Sequence, residues 1–316
     1  MIFDVLLWFG VLVLSLAVLI KSSDWFTASA EMIGLMFGIS PFVVGVTIVS
    51  IGTSLPELVS SVIAVYAGAS EIVAGNVIGS NVANIFLILG TGAVFGRVLQ
   101  IRRNLLPVDL PMLVGSAFFL AMTTMDGVFS VGEGVIFLGC LIIFFLYLTR
   151  SNGRGTRIVG DNQPEPPART ARPFLILVGS SVLVFVGAKF TVDAVIRIAE
   201  LLQMGTEVVA VSAVALGTSL PELAVTVSAV RRKNTEIVIG NVLGSNIFNT
   251  YAVMGVPALL GDLVVPESLV TVGLPALIAA TLLFLVVTVD RKVTAWEGWL
   301  FYLFYVYFIG KIFNLF

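Results

Sequence analysis

Long apolar runs separated by short polar turns dominate this chain. The clearest runs extend over Val5–Ile20, Leu110–Met122, Val135–Leu148, Phe174–Val186 and Leu269–Val289. Several of them approach or reach the roughly 20 residues that a helix needs to cross about 30 Å of hydrocarbon. Because backbone polar groups must be satisfied within the bilayer, such runs are typical of membrane-spanning helices.

The turns and charges between the runs divide the chain into ten predicted helices. Their expected bounds are 3–33, 41–67, 71–95, 105–123, 128–149, 173–200, 206–230, 236–260, 267–289 and 295–313. The stretch Arg150–Arg172 is polar and rich in Gly and Pro, which is typical of a flexible loop too short to fold as a domain. We therefore predict a first transmembrane repeat at 1–149, a linker loop at 150–172 and a second transmembrane repeat at 173–316.

Composition supports a membrane protein and narrows its chemistry. The chain is 58% hydrophobic and 11% charged, whereas a soluble domain carries about 25% charged residues. The absence of histidine removes the commonest acid/base group near neutral pH and the commonest transition-metal ligand. A single cysteine, Cys140, excludes an intramolecular disulfide.

Two motifs of the first half recur in the second half. Both recur at the same distance along the chain, and this distance is called the repeat offset below. The first motif, Gly-Thr-Ser-Leu-Pro-Glu-Leu, occupies 52–58 and 217–223. The second reads Gly-Asn-Val-Ile-Gly-Ser-Asn-Val-Ala-Asn at 75–84 and Gly-Asn-Val-Leu-Gly-Ser-Asn-Ile-Phe-Asn at 240–249, with seven of ten positions identical. Convergent helix-packing motifs are the alternative, since Gly and Ser favour close helix contacts in lipid. Two separate motifs that share this repeat offset favour internal duplication.

The duplication predicts an all-α polytopic membrane protein with about ten transmembrane helices in two inverted five-helix repeats. Five helices per half is an odd number, so the second half enters the membrane in the opposite orientation. Inverted repeats are a common plan of secondary transporters, whose site lies near the bilayer midplane between the repeats.

The basic residues predict which loops are cytoplasmic. Thirteen of the seventeen lie in one set of alternate loops: Arg97, Arg102, Arg103, Arg150, Arg154, Arg157, Arg169, Arg172, Arg231, Arg232, Lys233, Arg291 and Lys292. By the positive-inside rule, this set, including the 150–172 loop, is cytoplasmic and both termini are outside. We expect an integral protein of the cell membrane, with the lipid bilayer as its surroundings and no nucleic-acid partner; the oligomeric state stays open.

Glu57 and Glu222 lie inside otherwise apolar predicted helices. A carboxylate at membrane depth is costly and is usually functional, although a protonated Glu bonded to a neighbouring helix is the simpler alternative. Thr53 and Ser54 precede Glu57 by four and three positions, so both hydroxyls lie on its face of the helix. Pro56 and its counterpart Pro221 are expected to disturb their helices and free backbone carbonyls.

The second motif adds neutral oxygens. Ser80 and Asn84 are four positions apart, as are Ser245 and Asn249. Glycines 75, 79, 240 and 244 would let these helices approach the Glu-bearing ones closely. All of these groups are hard oxygen donors, which suit Ca²⁺, Mg²⁺ or Na⁺, and a flexible cluster favours Ca²⁺ over Mg²⁺. Two carboxylates balance one Ca²⁺ or two Na⁺, so the residues alone predict cation antiport, with the ion pair left open.

The paired motifs resemble the α-repeats of the sodium/calcium exchangers, within the cation/calcium exchanger superfamily. The resemblance covers nearly the whole chain and implies that the second and third helices of each repeat form a central group of four. By motif position it implies ion ligands at Thr53, Ser54, Glu57, Ser80, Asn84, Thr218, Ser219, Glu222 and Ser245, with backbone carbonyls of Ser50 and Ala215. Asn249 stands where several members have Asp and is expected to line the site as a neutral amide.

The predicted function is secondary-active exchange of Na⁺ for Ca²⁺ by alternating access, with Ca²⁺ and Na⁺ as transported ions, no cofactor and no enzyme activity. The alternative within the superfamily is an H⁺/Ca²⁺ antiporter. A remoter alternative is an intramembrane hydrolase with Ser54 or Ser219 as nucleophile. A serine nucleophile needs an activating base, and the chain has no histidine to supply one.

Overall fold

The computed structural model describes residues 2–151, 170–202 and 219–312, which form ten helices. The first half contains α1 (Ile2–Phe37), α2 (Pro41–Tyr66), α3 (Glu71–Gly96), α4 (Asp109–Thr124) and α5 (Val131–Ser151). The second half contains α6 (Arg172–Leu201), α7 (described over Leu220–Arg231), α8 (Thr235–Ala258), α9 (Leu269–Thr288) and α10 (Ala295–Ile312).

The helices confirm the predicted all-α membrane fold. Within the described ranges, seven helices are long and apolar enough to cross a membrane: α1, α2, α3, α5, α6, α8 and α9. The predicted spans agree with the observed helices to within a few residues. Of the predicted span 206–230, residues 206–218 lie outside the described residues, as does most of the linker loop.

The two halves correspond helix by helix at the repeat offset. The correspondence includes an irregularity of the backbone: a π-helical segment at Asn84–Leu89 within α3 recurs at Asn249–Val253 within α8. A π turn widens a helix locally and is frequent at functional sites. Both π segments begin at the last Asn of the repeated second motif.

Two short antiparallel sheets join the halves reciprocally. Strand β1 (Val98–Gln100) pairs with β4 (Lys292–Thr294), and β2 (Val128–Phe129) pairs with β3 (Leu263–Val264). At the repeat offset, β1 corresponds to β3 and β2 falls within β4. Each strand therefore pairs with a strand of the other half that is not its own counterpart. A two-fold relation between inverted halves produces this exchange.

The loops gather at two ends of the molecule. At the basic end, defined here by residues 97–108, 231–236 and 289–294, Thr235 Oγ1 donates to the Gln100 carbonyl at 2.8 Å. At the acidic end, defined by residues 67–70, 125–130 and 259–268, the Val264 N–H donates to Ser70 Oγ at 3.2 Å and the Val131 N–H to Asp262 Oδ1 at 3.1 Å. Loops assigned to one side from the sequence therefore lie together among the described residues.

Helix α2 of the first half crosses α8 of the second at very short range. A Cβ atom added to Gly45 would lie 2.6 Å from the Ile237 carbonyl oxygen. One added to Gly244 would lie 2.5 Å from the Val46 carbonyl oxygen and 2.7 Å from Ser50 Oγ. The prediction of close packing is thus confirmed at Gly240 and Gly244. At Gly75 and Gly79 it stays a prediction, because residues 207–211, the counterparts of the α2 contact segment, lie outside the described residues.

Helix α1 is held to α7 at the basic end by polar contacts. Ser228 Oγ donates to Asp24 Oδ1 at 2.8 Å, Asn234 Nδ2 donates to Glu31 Oε1 at 3.0 Å, and Arg232 lies 3.5 Å from Glu31 Oε2. In the second half, Lys189 occupies the position equivalent to Asp24. The side-chain contacts therefore differ between the two ends of the molecule, although the backbone fold repeats.

Candidate cation-binding site

Glu57 and Glu222 lie in the interior of the helical bundle, on α2 and α7. Each residue is only 2% exposed. One oxygen of each carboxyl group, Oε2, has no hydrogen-bond partner. Glu57 and Pro221, the residue before Glu222, line the same cleft, so the two Glu-bearing motifs lie beside each other. Duplication and inversion thus bring together two groups that are far apart in the chain but equivalent in the two repeats.

Thr53 connects the two halves at this point. Its hydroxyl lies 3.4 Å from Asn241 Oδ1 on α8 and 3.3 Å from the carbonyl oxygen of Ser50. The Ser54 hydroxyl is also buried and has no partner. The Thr53 hydroxyl therefore points toward the second half.

The hydroxyl and amide groups of the second motif are buried on α3 and α8, which pack against the Glu-bearing helices α2 and α7. Ser80 and Ser245 are 5% and 0% exposed, and Asn84 and Asn249 are 2% and 1% exposed. Ser245 Oγ lies 3.5 Å from Asn241 Oδ1. Neither side-chain amide atom of Asn249 has a hydrogen-bond partner. A buried polar group without a hydrogen-bond partner costs about 1–3 kcal/mol of folding free energy.

Within the part of the chain that the structure describes, buried side-chain polar atoms without a hydrogen-bond partner lie on four helices only. They lie on α2, α3, α7 and α8, at Ser54, Glu57, Asn81, Asn84, Glu222, Thr226, Asn241, Asn246 and Asn249. Most buried polar groups in native proteins are hydrogen-bonded, so such a concentration needs a physical reason. A ligand with positive charge would satisfy the oxygen atoms among them.

Most of the predicted site residues lie on the same four helices. Ten of the twelve are buried on the four central helices: Ser50, Thr53, Ser54, Glu57, Ser80, Asn84, Ser219, Glu222, Ser245 and Asn249. The other two, Thr218 and Ala215, lie outside the described residues. Every described residue of the set is thus buried on these helices, while their grouping around one ion and their part in ion binding stay predictions.

The expected break at Pro56 is corrected by the structure. Helix α2 continues as α-helix from Ser50 to Tyr66 with Pro56 inside it, and its π-helical segment lies earlier, at Gly45–Val49. A proline removes one N–H donor and crowds the preceding turn, yet packing against α8 holds the helix together. In α7, Pro221 is the second residue of the described helix, where a missing N–H is tolerated.

Several asparagines of the second motif were not assigned a role from the sequence. Asn76 Nδ2 donates to the Glu57 carbonyl at 3.2 Å and to Ser61 Oγ at 3.0 Å, which fixes α3 against the Glu-bearing turn. Asn81 Nδ2 donates to Thr250 Oγ1 at 3.0 Å in the other half. The sequence signal for such a role was the recurrence of these two asparagines at positions 241 and 246.

The charge of the site comes from two carboxylates. Among the described residues, no cluster of three or more Asp, Glu, Cys or His side chains is placed to hold a metal ion. The remaining donors are neutral hydroxyl, amide and carbonyl oxygens. Such a set matches the preference of Ca²⁺ and Na⁺ for oxygen ligands.

Comparison with known proteins agrees with this architecture. The model of the sodium/calcium exchanger protein family matches residues 7–150 and 172–313. The sodium/calcium exchanger MaX1 of Methanosarcina acetivorans is 34% identical, covering 92% of this chain and 94% of that protein. The uncharacterized membrane protein MJ0091 of Methanocaldococcus jannaschii is 34% identical over 92% of this chain and 93% of its own length.

Solved structures give the same result. The sodium-calcium exchanger NCX_Mj, soaked with Na⁺ and Sr²⁺, superposes with a TM-score of 0.81 at 34% sequence identity, covering 97% of this chain and 99% of that chain. The family model, the relatives and the shared fold each span nearly the whole chain. The chain therefore belongs to the sodium/calcium exchanger family of membrane cation transporters.

Proposed function

We propose that this protein exchanges Na⁺ for Ca²⁺ across the membrane by alternating access. The observation that carries the proposal is the buried pair Glu57 and Glu222, each with an unpartnered oxygen, on helices that also bury neutral hydroxyl and amide groups in both halves. Names of relatives at this level of identity, such as MaX1, support Na⁺ and Ca²⁺ as the exchanged ions.

The ligands of the transported ions are proposed from the same cluster. Glu57 and Glu222 supply the charges. Neutral oxygens come from side chains of Thr53, Ser54, Ser80, Asn84, Thr218, Ser219, Ser245 and Asn249 and from the backbone carbonyls of Ser50 and Ala215. Two negative charges balance one Ca²⁺ or two Na⁺. Because both ions need the same two charges, binding of one displaces the other, which is the requirement for antiport.

Sodium coupling is tested by imposing one gradient at a time. Purified protein in sealed vesicles loaded with Na⁺ should take up ⁴⁵Ca²⁺ when external Na⁺ is diluted, with the membrane potential clamped. Loading with K⁺ in place of Na⁺ should give background uptake, because the proposal makes Na⁺ the driving ion. A proton gradient in Na⁺-free solution should also give background uptake.

Two outcomes would overturn this assignment of the coupling ion. Equal uptake driven by a proton gradient without Na⁺ would establish the H⁺/Ca²⁺ alternative. Na⁺-driven uptake that disappears when K⁺ is removed would establish co-transport of K⁺. Vesicles without protein control for leak in each condition.

We also propose the orientation and limits of the two repeats. The first repeat (1–149) and the second (173–316) are joined by a cytoplasmic linker (150–172), and both termini lie outside the cell membrane. The support is the gathering of basic loops at one end of the molecule, since cytoplasmic loops collect Lys and Arg.

Cysteine labelling in intact cells checks the orientation. In a Cys140→Ser background, Ser151→Cys should resist a membrane-impermeant thiol reagent, because it would face the cytoplasm. Asp126→Cys, at the acidic end, should react readily. Both should react after the membrane is permeabilised, and the reverse pattern in intact cells would invert the topology.

A further inference from the structure

A cleft of about 190 Å³ lies between α2, α6 and the start of the described part of α7. Glu57, Pro56 and Ser60 line it on α2, and Lys189 and Asp193 line it on α6. The volume is enough for several water molecules. A carboxyl group that is 2% exposed and has an unpartnered oxygen therefore forms part of the wall of a cleft that can hold water.

The corresponding cleft in the other half does not reach a site carboxylate. It lies between α1 and α7 and includes Asp24 and Ser228, which are hydrogen-bonded to each other. Glu222 is not among its lining residues. The bundle is therefore fastened at the basic end, while on the acidic side of Glu57 a cleft connects the site with α6.

The charges on α6 face this cleft without neutralising each other. Lys189 and Asp193 are one helical turn apart, yet neither makes an ion pair within the described part of the chain. Lys189 is exposed and Asp193 is partly buried. A cation that moves through the cleft toward Glu57 meets both side chains.

We propose that Lys189 and Asp193 set the apparent affinity for external cations, with the cleft as the entry route to Glu57. This inference rests on the proposed cation exchange. Asp193 attracts an entering cation and Lys189 repels it. Electrostatic energy scales with the charge of the ion, so Ca²⁺ should respond about twice as strongly as Na⁺ on a logarithmic scale. If Lys189 acted only through the packing of its side chain, its replacement would change the apparent affinity for both ions by the same factor.

Kinetics of the two ions provide the test. Lys189→Gln should lower the KM for external Ca²⁺ by about three- to tenfold at low ionic strength, the range expected for removing one charge at roughly 10 Å in a partly solvated cleft. The KM for Na⁺ should fall by a smaller factor, and the maximal rate should stay close to that of the parent. Asp193→Asn should raise both KM values. Lys189→Arg, which keeps the charge, should behave as the parent.

Salt dependence and a matched lysine complete the kinetic test. The shift should shrink when choline chloride is raised to about 0.5 M, because added salt screens exposed charges. Lys21→Gln is the control, since Lys21 lies on the equivalent long helix of the first half, over the ring of Trp25 at 5.7 Å. It should leave both KM values unchanged. Unchanged KM values in Lys189→Gln, or equal shifts for both ions at every ionic strength, would overturn the proposal.

A second readout does not need exchange activity. Val192 also lines the cleft. In a Cys140→Ser background, Val192→Cys should react faster with a cationic thiol reagent when Lys189 is replaced by Gln, and more slowly when Asp193 is replaced by Asn. Equal reaction rates would reject the electrostatic role. If the variants show this pattern but the parent shows no Na⁺-driven Ca²⁺ uptake, the proposed entry route is retained and the proposed exchange is rejected.

Discussion

Replacing Glu57 or Glu222 by Gln should reduce Na⁺-driven Ca²⁺ uptake by about a hundredfold or more. The substitution keeps the shape of the side chain and one oxygen acceptor but removes half of the negative charge around the ion. Removing one partner of a buried charge pair costs about 3–5 kcal/mol, and each step of about 1.4 kcal/mol corresponds to a tenfold change in affinity. Uptake of ⁴⁵Ca²⁺ into Na⁺-loaded vesicles measures the effect.

Thermal stability separates loss of binding from loss of folding. In buffer without Ca²⁺ or Na⁺, each Gln variant should melt no lower than the parent, because it replaces a buried carboxyl group that has an unpartnered oxygen by a neutral amide of the same shape. Ca²⁺ should raise the melting temperature of the parent and leave the variants nearly unchanged, since a ligand stabilises only the state that binds it. Glu267→Gln, at an exposed position of the acidic end, is the control and should retain exchange and Ca²⁺ stabilisation. Undiminished uptake in either site variant would remove that residue from the ion site.

The repeat made most of the fold predictable. The offset that aligns the two motifs also aligns the apolar runs around them, which gave five helices per half, and their odd number gave the inversion. Membrane-spanning length constrains each helix independently of its partners. The burial of the described site residues was predictable from the motifs, because each motif places its polar groups on one face of a helix.

Contacts that break the symmetry were not predictable. Asp24 and Ser228 are 204 residues apart, and nothing local in either segment indicates that they meet. Arg103 reaches Asp109 at 2.9 Å and lies over the ring of Phe42, a contact with α2 that depends on how the α3–α4 loop folds back. Such pairs depend on the packing of whole helices. Lys189 illustrates the point, because only the tertiary structure places it in the lining of the same cleft as Glu57.

The strand exchange and the π segments also lay beyond sequence reasoning. Strands β1 and β4 each contain only 3 residues, too few for a clear alternation of apolar and polar positions. The π turns at Asn84 and Asn249 carry no specific sequence signal beyond the repeat itself. These π turns widen α3 and α8 locally. The apolar runs predict where a helix begins and ends, but they carry no information about such widening inside it.

The tight crossing of α2 and α8 leads to the second large expected effect. Gly244→Ala should lower exchange by about tenfold to a hundredfold, although alanine is small and favours helices. The added Cβ atom would lie 2.5 Å from the Val46 carbonyl oxygen and 2.7 Å from both Val46 Cα and Ser50 Oγ. Two of these are backbone atoms, so the helices must separate by a few tenths of an ångström or more.

That separation would move the two halves of the site relative to each other. The α2 segment that Gly244 contacts leads directly to Ser50 and Thr53, whereas Ser245 and Asn249 continue along α8. Misplacement by about 1 Å can reduce the rate of a positioned reaction a hundredfold, and overpacking typically costs about 1–3 kcal/mol of stability. The variant should therefore bind Ca²⁺ more weakly and melt at a lower temperature, unlike the Gln variants, which lose binding without losing stability. Gly115→Ala on α4, where an added Cβ meets nothing within 4 Å, should match the parent in both measurements. Normal exchange by Gly244→Ala would mean that the crossing can open without disturbing the ion site, and the close approach would then be a feature of packing alone.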